Sequence, residues 1–143
     1  MLWRHSSLIS LQILSILDWA ISVPPIVILQ NGPIQGAHKS LSNVNNSPFL
    51  QGRDLTYREY LGIPYAEPPV GDLRFRPPKP LKKKWSGVLD ATKHGPACMQ
   101  HEIPLVPPPA KTDEDCLYLD VLTPGNGSNN VSKAVMIWIH AGG

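Results

Sequence analysis

Long apolar runs are scarce in this chain. Past the first twenty-two residues no stretch approaches the roughly 20 apolar residues that a membrane-crossing helix needs. Cysteine is scarcer still: Cys98 and Cys116 are the only two among 143 residues. With no Cys-x-x-Cys pair and five scattered histidines, the chain offers no zinc-ligand spacing, and neither a metal nor a cofactor is expected. An excess of one charge is also missing. Thirteen Lys and Arg against eleven Asp and Glu leave a formal net charge of +2, too little to argue for a nucleic-acid partner. The one basic run, Lys82-Lys83-Lys84, has no aromatic interleaving and reads as a solvated turn before Trp85. Heptads, internal repeats and long helical periods are absent beyond the leader, so neither a coiled coil nor a solenoid is expected.

Proline is plentiful, at 16 residues. Its members sit among aromatic and aliphatic residues, which favours an ordered, loop-rich segment over a disordered one. The length suits about one domain. At the N-terminus, Arg4 and His5 precede an apolar run from Leu8 to Leu17, broken by Gln12 and Ser15. Asp18 closes the run, and Ala20-Ile21-Ser22 supplies small residues before Val23. Residues 1–22 are therefore predicted to be a secretory signal peptide, with an uncleaved anchor as the alternative. The expected location is outside the cell or on its outer face. Behind a signal peptide an even cysteine count favours a Cys98–Cys116 disulfide, worth ~3 kcal/mol for a loop of this length. Asn45, Asn126 and Asn130 each open an N-x-[ST] sequon and are candidate glycosylation sites.

Ile26 to Leu29, then Asn31-Gly32, then Pro33 to Gly36 predict a small hairpin, since Asn-Gly supports the positive φ of a tight turn. Ala37 to Asp54 is polar and is expected to be a surface loop. Leu55 to Ala66 reads as a strand. Pro68 to Pro80 holds five prolines and must be extended, wrapping a surface with Trp85, Val88 and Leu89 as anchors. Asp115 to Leu122 alternates as a strand should. Lys133 to Ile139 is nearly continuous apolar, as expected of a strand covered on both faces. Such a strand needs helices on both sides of its sheet, and the covering helices are expected to lie past Gly143.

Four segments in series carry a resemblance. They are Leu61-Gly62-Ile63-Pro64-Tyr65-Ala66-Glu67-Pro68-Pro69-Val70-Gly71-Asp72-Leu73-Arg74-Phe75, Trp85-Ser86-Gly87-Val88, Glu114-Asp115-Cys116-Leu117-Tyr118-Leu119-Asp120-Val121, and Trp138-Ile139-His140-Ala141-Gly142-Gly143. In order and spacing they resemble the type-B carboxylesterase and cholinesterase family over about Ile26 to Gly143. The resemblance implies the α/β class and an α/β-hydrolase fold, of which only the N-terminal, β-rich portion (residues 23–143) is expected here.

The resemblance also assigns roles. Cys98 and Cys116 look like the family's first disulfide. Arg74 and Glu114 look like a partly buried structural ion pair, whose disruption would cost ~3–5 kcal/mol if buried, so Arg74→Ala is expected to impair secretion. Gly142 and Gly143 look like the oxyanion-hole donors, glycine letting the backbone approach a substrate closely. His140 looks like a loop-positioning residue. Two positions depart from the family: Ala141 stands where Gly is usual, and Asp120 where Asn is usual. No G-x-S-x-G elbow is present, so the catalytic Ser, acid and His are expected beyond this stretch, and these residues alone are expected to be inactive on esters. The implied parent is a secreted serine hydrolase acting on a small-molecule carboxylic ester. A neuroligin-like adhesion homologue lacking the nucleophile is the alternative, and a genuinely short product a third reading.

Overall fold

The computed structural model describes residues 23–41, 55–101, 109, 111–125 and 132–140. Six strands and one 3-10 turn make up its regular structure: β1 (Ile26–Leu29), β2 (Gly32–Gln35), β3 (Ala37–Leu41), β4 (Leu55–Pro64), the turn Gly71–Leu73, β5 (Leu89–Asp90) and β6 (Tyr118–Pro124). They form two three-stranded sheets, ordered β1-β2-β5 and β3-β4-β6.

The Asn-Gly hairpin forms as expected, with β1 antiparallel to β2 and Leu29 opposite Gly32. Gly32 has φ 139°, and a Cβ there would lie 2.5 Å from Trp85 Nε1. Glycine thus serves both the turn and a close approach. Trp85 is the hairpin's partner. Its backbone N–H donates to Asn31 O at 3.0 Å, and its indole N–H donates to Pro33 O at 2.7 Å. The Asn31 side chain reaches on to Lys83 O (2.8 Å) and Leu81 O (3.3 Å). β5 completes this sheet by pairing parallel to β2, with Ile34 opposite Leu89.

Gly36 is where the chain passes from one sheet to the other, and a Cβ there would strike Glu59 O and the Tyr60 ring. The shared core lies beside it. Ile34, Tyr60, Ile63 and Ala91 are buried, with Leu29, Trp85 and Leu89 packed against them. Trp85 and Leu89 are therefore anchors, as the sequence suggested, whereas Val88 is half exposed.

Three expectations need correction. Residues 37–41 are strand β3 rather than loop: they pair with β4 from Ala37↔Glu59 to Leu41↔Leu55. Their side chains are mostly exposed, and ladder hydrogen bonds come from the backbone, so polar composition did not preclude a strand. Residues 42–54 lie outside the described residues. The strand expected from Asp115 starts at Tyr118, because Asp115 and Cys116 belong to a turn in which Tyr118 N–H donates to Cys116 O at 3.0 Å. Finally, residues 132–140 form no strand. Val135, Met136, Ile137, Trp138 and Ile139 are 80–94% exposed. A strand exists through a neighbouring edge, and among the described residues no segment pairs with this one.

Candidate functional site

The densest polar arrangement surrounds a β-bulge. β4 and β6 pair at Tyr60↔Val121 and again at Ile63↔Leu119, so Leu61 and Gly62 together face the single residue Asp120. A bulge strips ladder partners from its extra residue, and both freed N–H groups are satisfied elsewhere. Leu61 N–H donates to Ala91 O at 2.8 Å. Gly62 N–H donates to Asp120 Oδ1 at 2.8 Å. The other carboxylate oxygen, Oδ2, lies 2.7 Å from His94 Nδ1. One side chain thereby ties together β4, β6 and the 91–95 loop.

Gly62 sits at φ 64°, and a Cβ there would lie 2.6 Å from Lys93 O and 2.9 Å from Gly95 N. In the sequence Asp120 is a polar position of an alternating strand and a departure from the family's Asn. Its bracing role was missed, and so was His94. Asp120 is partly exposed, and an acidic residue on the polar side of an alternating strand carries no signal of that role.

The second arrangement is the loop closed by the Cys98–Cys116 disulfide, whose Cα atoms are 5.0 Å apart. Beside it, Ala97 N–H donates to Lys111 O (2.9 Å) and Asp113 N–H to Ala97 O (3.0 Å). Asp113 Oδ1 accepts Asp115 N–H at 3.1 Å, which holds the Asp113 carboxyl below its usual range. Tyr118 OH donates to Asp115 Oδ2 at 3.1 Å. Burial, and secondly this bond, raise the phenol's pKa above its usual 10.0.

Arg74 and Glu114 meet, joining the end of the 3-10 turn to the disulfide loop. Their side chains are 57% and 35% exposed, so the pair is only partly buried. Solvent screening lowers its expected worth to about 0–1 kcal/mol. The ~3–5 kcal/mol of a buried pair, and the secretion defect argued from it, do not carry over.

Gly142, Gly143, Asn45, Asn126 and Asn130 lie outside the described residues. The described chain reaches His140, just short of the two glycines. Among the described residues no group of three or more His, Cys, Asp and Glu is placed to hold a metal ion.

A family model described as the carboxylesterase family matches residues 23–143. The chain is 39% identical over 117 residues to a probable cholinesterase of Acanthamoeba polyphaga mimivirus, covering 81% of this chain and 18% of that protein. It is 44% identical over 122 residues to the mouse (Mus musculus) pyrethroid hydrolase Ces2a, covering 78% and 21%. With the rabbit (Oryctolagus cuniculus) cocaine esterase, identity is 37% over 131 residues, covering 85% and 23%. The chain spans about a fifth of the length of these curated relatives. A match running from Val23 to Gly143, with the bulge and the disulfide inside it, makes this chain a member of the carboxylesterase family.

Proposed function

We propose that residues 23–143 are the N-terminal part of a secreted serine esterase with the α/β-hydrolase fold, residues 1–22 being its signal peptide. The observation that carries this reading is the family match over 23–143. The printed names of its relatives agree, among them a cocaine esterase and a probable cholinesterase. The substrate class is a small carboxylic ester. In the whole protein a Ser hydroxyl attacks the ester carbonyl, a His takes its proton, and a carboxylate orients that His. The alcohol leaves, and water then releases the acid from the acyl-enzyme.

The part assigned to this stretch is electrostatic. Negative charge grows on the former carbonyl oxygen, and the role assigned to the N–H groups of Gly142 and Gly143 is to stabilise it. Losing one such donor costs ~2.7–4 kcal/mol, or about 10²–10³ in kcat. The test is ester cleavage by the whole protein and its Gly143→Ala variant. The Cβ displaces the oxyanion, so kcat should fall toward that range with little change in KM. A whole protein that neither cleaves esters nor reacts with a serine-directed phosphonate would overturn the reading, and would point instead to a nucleophile-free adhesion homologue.

A further inference from the structure

Positive charge is distributed very unevenly along this chain. Residues 74–84 carry Arg74, Arg76, Lys79, Lys82, Lys83 and Lys84 and no Asp or Glu. Six of the thirteen cations thus fall in eleven residues, leaving seven cations against eleven acids elsewhere. All six are exposed. Arg74 is paired with Glu114. Among the described residues the other five enter no ion pair.

The backbone beneath these cations is held firmly. Pro77, Pro78 and Pro80 fix φ. Glu67 N–H donates to Lys79 O at 2.9 Å, and Lys82 N–H donates to Glu67 Oε1 at 2.7 Å. Asn31 holds the carbonyls of Leu81 and Lys83, and Trp85 pins the far end. A shallow groove runs along the first half, lined by Asp72, Leu73, Arg76, Pro77, Pro78 and Lys79, so one carboxylate faces two cations there. The result is a row of five cations with no ion pair among the described residues, on a held track, so little ordering entropy opposes binding.

We propose that residues 74–84 are a docking strip for a linear sulfated polysaccharide. The disulfide belongs to an oxidising, extracellular setting, where such glycans are the abundant linear polyanions. Four lysines act as point charges suited to sulfate. A reader of single-stranded nucleic acid needs aromatic platforms for bases, whereas the strip's one aromatic ring, Phe75, lies 5.5 Å under the Arg74 guanidinium. A membrane-surface binder needs a broad apolar face beside its lysines, and prolines occupy that place here. The inference does not depend on ester cleavage.

The test is binding of the full chain to immobilised heparin over a salt series, alongside Lys82→Gln/Lys83→Gln/Lys84→Gln. The bonds holding this track use backbone atoms of Lys82 and Lys83, so glutamine leaves them in place, and an unchanged thermal midpoint is the check. At about 0.15 M salt the triple variant should bind ~10-fold or more weakly, with a shallower salt slope, by polyelectrolyte counterion release. Arginine at the same three positions should preserve binding, as should Lys39→Gln/Lys93→Gln/Lys111→Gln, which removes equal charge elsewhere. Equal losses in the two glutamine triples would overturn the proposal. So would undiminished binding to desulfated heparin, or tighter binding to DNA or to phosphatidylserine vesicles.

Discussion

Asp120 and Gly62 show how two residues can share one structural task. The bulge requires a residue at φ 64° and an acceptor for its N–H. Gly62→Ala should destabilise the whole protein by at least ~2 kcal/mol, because left-handed backbone disfavours a Cβ and Lys93 O occupies its place. Asp120→Asn retains an amide oxygen for Gly62, so its cost should stay near zero. Asp120→Ala leaves that N–H unmet and should cost about 1 kcal/mol, allowing for partial exposure. Urea unfolding of the three variants ranks them, and equal losses for Asn and Ala would refute the acceptor role. None of this could be read along the chain, because Gly62 and Asp120 stand 58 residues apart, and His94 stands 26 from Asp120.

Elements formed where local chemistry and neighbours agreed. The Asn31-Gly32 hairpin, the long strand β4 and the proline-rich extended track were all legible, since turn residues, large apolar residues and fixed φ act locally. β3 was hidden because its exposed polar side chains carry no signal of the ladder it joins. The Val135–Ile139 run misled in the opposite sense: apolar composition suggested a strand for which no paired neighbour is described. The disulfide loop was legible from cysteine count, though the turn delaying β6 was not. Removing that loop's crosslink with Cys98→Ser/Cys116→Ser should lower stability by ~3 kcal/mol for a separation of 18 residues. Arg74→Ala, at an exposed pair, should lower it by no more than about 1 kcal/mol. Urea midpoints should follow the same order, and a worse defect in Arg74→Ala than in the cysteine variant would contradict it.

For the whole molecule, these groups bound a pH window. Hydrogen bonds from Thr92 hold Asp90 below its ordinary 3.8, as the Asp115 N–H does Asp113. Lowered carboxylates favour the folded chain above their unfolded values, and the benefit is lost as pH falls through the lowered ones. Tyr118 works in the other direction. Its pKa is raised, chiefly by burial, so its contribution is full below pH 10.0 and disappears as pH rises toward the raised value. Thermal midpoints should therefore be flat from about pH 5 to 9 and fall on both sides. Tyr118→Phe should soften the alkaline fall alone, and an unchanged alkaline limb would remove Tyr118 from the account. At this scale too, the exposed Val135–Ile139 stretch amounts to an apolar patch. Residues 23–143 expressed alone should bind a hydrophobic dye and self-associate, where the whole protein does not.

The parallel pairing of β2 with β5 also sets a timetable. Ile34 acquires its partner Leu89 only when the ribosome has added fifty-five more residues. At ~5–20 residues per second that is roughly 3–11 s. For most of that interval neither β5 nor the Trp85 indole has been made to cover the hairpin. The first element made is thus among the last to settle, and its apolar side chains are on offer to holding chaperones in the meantime. Synonymous codons that slow translation between positions 36 and 89 should lengthen that exposure, and so lower the folded yield without changing a single residue.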